Sequence, residues 1–251
     1  DGTLIRARAV ASNVNPKLLF LEMVERGALD PEFVADMEGW RCRSGTFRMN
    51  VALSELPRFS SLKGDDDPEF LNGTVDIAPS LGYLERAYDD AKTGGWAREP
   101  VVSMCLPSTL DDSLAPAGRH VASLFCQHFH PILSNGRSWD DEKEAVADLV
   151  IDTVTRYAPN FKAAVLGRQI KSPLDLERDL GLVGGDIFHG ALHLDQIYSL
   201  RPAAGFADYR SPIEGLYLCG SGAHPGGGVS GLPGRNAAKA IAKDLRRRRR
   251  V

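Results

Sequence analysis

Between Gly215 and Ala238 the chain reads Gly-Leu-Tyr-Leu-Cys-Gly-Ser-Gly-Ala-His-Pro-Gly-Gly-Gly-Val-Ser-Gly-Leu-Pro-Gly-Arg-Asn-Ala-Ala. Few folds accommodate such a segment. The apolar run Leu216 to Cys219 predicts a short buried strand. Seven glycines follow between Gly220 and Gly234, and Ala237, Ala238, Ile241 and Leu245 then space out a narrow helical stripe of about three turns. Pro233 has to sit in the first turn of that helix, because deeper inside it would break it. Strand, glycine loop, helix start is the arrangement that presents bare backbone N–H groups to an anion or a polarised oxygen.

Other readings of this run fail on spacing. Gly226, Gly228 and Gly231 satisfy GxGxxG in form. Only about 20 residues follow, too few for the helix, second strand and acidic residue of a dinucleotide-binding unit. The segment therefore reads as a second contact on a cofactor whose main cradle lies elsewhere. Gly220-Ser221-Gly222 imitates a nucleophile elbow, but Cys219 and Ala223 stand where GxSxG needs glycines. His128-x-His130 and the pair His189 and His193, which an i, i+4 helix face would bring together, lack an evident third ligand, so no metal site is expected.

Composition narrows the class. There is no run of about 18 apolar residues, so no transmembrane helix is expected. Net charge is −3, and five of the 30 basic residues are the arginines at 246–250, leaving a distinctly acidic body. Nucleic acid is not an expected partner of such a surface. Cys42, Cys105, Cys126 and Cys219 are far apart and form no CxxC. They read as reduced, mostly core thiols of a cytoplasmic protein.

Upstream, residues 3–12 read as a strand preceded by Asp1-Gly2, a hairpin-turn dipeptide whose partner strand would be missing. This suggests a piece of a longer chain. Helical patterns follow Asn15-Pro16 and Asp30-Pro31, the latter serving as N-cap and first-turn proline. Residues 47–53 alternate apolar with polar as a half-exposed strand. Residues 64–68 form a loop, 101–106 and 120–129 two further strands, and 141–157 the clearest helix. Successive strands without helical crossovers imply an antiparallel sheet.

Gly184-Gly185-Asp186-Ile187-Phe188-His189-Gly190, Leu194-Asp195-Gln196, Arg201-Pro202 and the run 215–238 together resemble the C-terminal part of the phytoene-dehydrogenase-like FAD-dependent oxidoreductases. Within that family they look most like the animal and bacterial pyridine nucleotide-disulfide oxidoreductase domain-containing protein 2 group. Val10-Ala11-Ser12-Asn13, the run 50–57 and Leu106-Pro107-Ser108 extend the resemblance over nearly the whole chain. The resemblance implies an α+β fold: a mostly antiparallel-sheet substrate domain with helices, plus the C-terminal strand-loop-helix of a Rossmann-type FAD-binding domain. Residues 1–16 would end a hairpin of the FAD domain, 17–183 would form the substrate-binding domain, and 184–251 would return to the FAD domain with a basic tail.

The function so implied is hydride transfer from a hydrophobic small-molecule substrate to FAD, in an enzyme whose N-terminal GxGxxG half is missing here, leaving this piece inactive alone. Gly220, Ser221, Gly222, His224, Pro225, Gly226, Gly227, Gly228, Val229, Ser230 and Gly231 would contact FAD. Amides near Val229, Ser230 and Gly231 would face charge gathering on the ring. His189 is the candidate on the substrate side, and no general base is assigned. A targeting segment in the missing part would make the location mitochondrial instead. The alternative function is a non-catalytic module for a hydrophobic ligand, or an inactive remnant.

Overall fold

The computed structural model describes residues 2–62 and 68–248. Asp1, residues 64–67 of the acidic loop and Arg249 and Arg250 of the basic tail lie outside them. Numbered in chain order, the strands are β1 (Val10–Ser12), β2 (Phe47–Leu53), β3 (Thr74–Ile77), β4 (Trp96–Cys105), β5 (His120–Phe129), β6 (Val165–Lys171) and β7 (Leu216–Leu218). The α-helices are α1 (Pro16–Leu18), α2 (Pro31–Gly39), α3 (Leu81–Ala91), α4 (Trp139–Tyr157), α5 (Phe161–Ala164), α6 (Pro173–Leu180) and α7 (Leu232–Arg248). Packing divides them into two units, Gly45–Gly185 and the pair of segments Asp1–Ser44 with Asp186–Val251.

The Gly45–Gly185 unit is a five-stranded sheet in the order β3-β4-β5-β2-β6, antiparallel throughout. Alternation in β2 sends Phe47, Met49, Val51 and Leu53 inward, where they meet Val102, Met104, Leu124 and Cys126 of neighbouring strands. Helix α4 closes this core with Val146, Val150, Ile151 and Val154. Burying each such side chain is worth about 1.5–3 kcal/mol against leaving it exposed. The start of α4 is set by Ser138, whose side chain accepts from the Asp140 amide at 3.1 Å, and by Asp140, Asp141 and Glu142 in the first turn.

The other unit holds the two-stranded parallel pair β1–β7, with Val10 opposite Leu216 and Ser12 opposite Leu218. The expected strand over residues 3–12 shrinks to its last three residues. Strand β7 offers only three positions to pair with, and Leu4 and Ile5 stand 78% and 83% exposed. Residues 17–44, grouped with the sheet in the sequence reading, pack here instead. Leu19, Phe20, Phe33 and Met37 share a core with Ala203, Leu218 and Ala223. Helix α2 begins as its sequence implied, with the Asp30 side chain accepting from the Glu32 amide at 2.8 Å and Pro31 in the first turn.

Candidate functional site

All the residues singled out as cofactor contacts lie on one loop, between β7 and α7. The loop leaves the strand where the Cys219 amide donates to the Ser12 carbonyl at 2.9 Å. It then folds through two tight turns, Ala223 N–H to Gly220 O at 3.0 Å and Gly226 N–H to Ala223 O at 2.8 Å. Helix α7 is braced on the strand by Asp244, which receives a bidentate pair from Arg210 at 2.8 and 2.9 Å and the Tyr217 hydroxyl at 3.0 Å.

The glycines divide by what a side chain there would meet. A Cβ at Gly220 would lie 2.6 Å from the Asn13 carbonyl oxygen, one at Gly222 2.4 Å from the Pro16 ring, and one at Gly227 2.4 Å from the Phe188 ring. Those three are required by the chain's own packing. Gly228 is different: its φ is +105° and nothing lies within 4 Å of its missing Cβ. Val229 follows with φ +53° and a fully exposed side chain. Among the described residues the backbone amides of Gly227, Gly228 and Val229 donate to no acceptor. Beyond them the Ser230 hydroxyl accepts from the Leu232 amide at 3.4 Å, at the start of α7. A stretch of unspent donors beside open space, at the start of a 17-residue helix, suits a group rich in carbonyl or phosphate oxygen.

Under this loop lies Arg201, wholly buried. It donates to four backbone carbonyls: Ser221 at 2.7 and 3.0 Å, Phe188 at 2.8 Å, Gln196 at 3.0 Å and Gly190 at 3.2 Å. Its guanidinium carbon stands 5.2 Å from the centre of the Trp40 ring. Burial lowers its pKa to about 10, against the pull of Asp186. Asp186 is also fully buried, accepting from the amides of Phe188 at 2.9 Å and Ser44 at 3.3 Å. Burial raises its pKa, opposed by those two amides and by Arg201. Trp40 Nε1 donates to the His189 carbonyl at 3.0 Å. Gln196 clamps the segment from the other side, taking the Arg41 amide at 2.8 Å and donating to the carbonyls of Arg41 and Ala191.

The histidines fall into two groups. His189 and His224 border the loop, each with a buried Nδ1 that has no partner among the described residues, a feature His120 of the Gly45–Gly185 unit shares. Burial lowers the His189 pKa, opposed by Asp186, so its ring is neutral near pH 7. The helical face proposed for His189 and His193 does not form. The backbone there runs through left-handed conformations at His189 (φ +56°) and Gly190 (φ +140°), and Gly190 sits against the Trp40 ring. His130 Nδ1 accepts from the Ile132 amide at 3.1 Å. No group of three metal-ligating side chains occurs among the described residues.

The thiols vary more than expected. Cys126 is buried, Cys42 and Cys219 are half-buried and Cys105 is exposed. Burial pushes the Cys42 thiol up to about 11, opposed by the Asn15 side-chain amide at 3.4 Å, and burial also raises Cys219. Neither is a thiolate near pH 7.

No protein-family model matches the chain. It is 44% identical over 98% of its length to pyridine nucleotide-disulfide oxidoreductase domain-containing protein 2 of Rattus norvegicus, covering 43% of that protein. It is 32% identical over 96% of its length to a lycopene-forming phytoene desaturase of Pseudescherichia vulneris, covering 46% of it. An oxidoreductase structure from Methanosarcina mazei aligns with 97% of the chain and 44% of its own, with TM-score 0.51 and 15% identity, a likeness of fold alone. The resemblance read from the residues is therefore borne out along nearly the whole chain, which spans less than half the length of these relatives.

Proposed function

We propose, from this relatedness to the phytoene-dehydrogenase-like oxidoreductases, that the chain is the C-terminal part of an FAD-dependent enzyme that oxidises a hydrophobic small molecule. The observation that carries the reading is the set of free amides at Gly227, Gly228 and Val229, beside the open space at Gly228 and close to buried Arg201. When bound, FAD would supply the hydride acceptor that the protein's own side chains lack. The loop amides would hold its oxygen-rich edge, and Gly228 would let the backbone come close. Ser230 and Gly231 would complete the contact at the helix start. Gly220, Ser221, Gly222, Pro225 and Gly226 would act by shaping the loop. His189 and His224 would border the ring, each with an unspent ring nitrogen for a proton or a water.

In this proposal the Gly45–Gly185 unit belongs to the substrate-binding domain. The main dinucleotide cradle belongs to the part of the protein that the relatives possess and this chain does not span. No helix among the described residues is long and apolar enough to cross a membrane. A cytoplasmic location is proposed, with a mitochondrial one if a targeting segment belongs to the whole protein.

A hydrophobic-ligand module without catalysis is the second reading. A cavity of about 320 Å³ in the Gly45–Gly185 unit favours it, lined by Phe59, Leu62, Phe70, Leu71, Val75 and Tyr157 among others. One experiment separates the two: express a protein that joins this chain to the remaining length of its relatives, and record the visible spectrum after purification. Bound flavin with its 450 nm band is the expected result, with the chain by itself colourless. A colourless long protein that still takes up apolar ligands would establish the module instead.

A further inference from the structure

Arg201 is placed unlike an ordinary structural arginine. It is fully buried, it spends five hydrogen bonds on four backbone carbonyls, and no carboxylate forms an ion pair with it among the described residues. Asp186, the nearest buried acid named in its electrostatics, gives its own oxygens to the Phe188 and Ser44 amides. Burying a cation without a close anion is expensive, and its planar fork spends on these carbonyls more N–H donors than any neutral side chain carries. The guanidinium also sits directly below the loop. A Cβ at Gly226 would lie 3.5 Å from Arg201 Nε, and the Gly227, Gly228 and Val229 amides, which donate to no acceptor among the described residues, come directly after it.

We propose that Arg201 is a positioning residue for the cofactor. From beneath the loop it fixes the Ser221–Val229 backbone, and it sets a positive charge behind the three free amides so that the bound flavin is easier to reduce. The inference rests on the flavin reading above. Two effects are combined and separable. Geometry needs the planar fork that reaches several carbonyls at once, which lysine cannot reproduce. Charge needs only a cation at that depth, where weak screening lets it act on the reduced and more negative cofactor. Asp186 has the opposite sign and would temper the effect.

The test uses the protein that includes the remaining length of its relatives, with three variants and three readouts: the flavin midpoint potential by spectroscopic titration, the flavin Kd, and NMR backbone order parameters at Gly227 to Val229 without flavin. Arg201→Gln is expected to lower the potential, weaken flavin binding by about tenfold and lower the order parameters. Arg201→Lys is expected to lower the order parameters while keeping the potential near wild type. Asp186→Asn is expected to raise the potential. A folded Arg201→Gln protein with wild-type potential overturns the proposal. Should that variant fail to fold, Asp186→Asn decides, and an unmoved potential there overturns it equally. If the wild-type protein takes up no flavin at all, the flavin reading fails by itself. The order parameters of Arg201→Lys then judge the remaining claim, that Arg201 orders the loop, and unchanged values refute it.

Discussion

Glycines in one loop are held by different forces, and this separates folding from binding residue by residue. At Gly220 a methyl group would collide with the Asn13 backbone, which has no side-chain freedom to yield. At Gly228 a methyl group meets nothing, and only the left-handed φ resists it. Gly220→Ala is therefore expected to lower stability by about 1–3 kcal/mol through overpacking. Gly228→Ala is expected to cost only about 1 kcal/mol of backbone strain, yet to weaken flavin binding the more. Urea titration and flavin titration of the two variants check the crossed ranking. His189 adds a pH signature. Its folded pKa lies below the usual histidine value, so the unfolded chain binds more protons as pH falls through about 6.5. That contribution to stability is present above pH 7 and declines as pH drops toward the folded value. His189→Gln should flatten the stability profile between pH 7 and 5, measured by thermal melts across the range.

Among the elements, the short helix α6 shows how a local signal and a tertiary contact combine. Ser172 and Asp175 form a reciprocal capping box, and Lys143 of α4 donates to the same aspartate at 2.9 Å. Burial alone would raise the Asp175 pKa, but the Ser172 amide and Lys143 overcome it, and the folded value is lowered. A lowered carboxyl stabilises above its unfolded pKa of about 3.9 and loses that contribution as pH falls through the folded value. Asp175→Asn is expected to cost about 1 kcal/mol at pH 7, a difference that shrinks near pH 3, read from urea midpoints at the two pH values. The same helix carries no long apolar stripe that the sequence makes visible. Nor does the sequence mark β3, β6 or α3, whose buried positions Tyr83, Ala87 and Ala91 are mostly too small to make a stripe. By contrast β2 and β5 fall on the expected residues, and α4 begins two residues early. Their strong alternation or long valine-rich stripe needs no partner to be seen.

At the level of the whole molecule, the loop was legible and its support was not. Glycine density, a preceding apolar run and Pro233 locate the strand, loop and helix without coordinates. Arg201 and Asp186 stand out in the sequence only within the family resemblance, since nothing local says that an arginine will be buried on carbonyls drawn from residues 188, 190, 196 and 221. Nor does the sequence separate glycines that pack on Asn13, Pro16 or Phe188 from Gly228 and Gly231, which face open space. The segment 17–44 illustrates the same gap, because its apolar residues could have packed on either unit. They share a core with Leu218 and Ala223, so the floor of the loop is built from both ends of the chain. The most direct measurement is amide hydrogen exchange at Gly227, Gly228 and Val229 with and without FAD, in the protein that includes the remaining length of its relatives. Strong slowing at these three amides on adding FAD is the expected result. Bound flavin with exchange there unchanged would place the cofactor elsewhere and contradict the assignment of this loop.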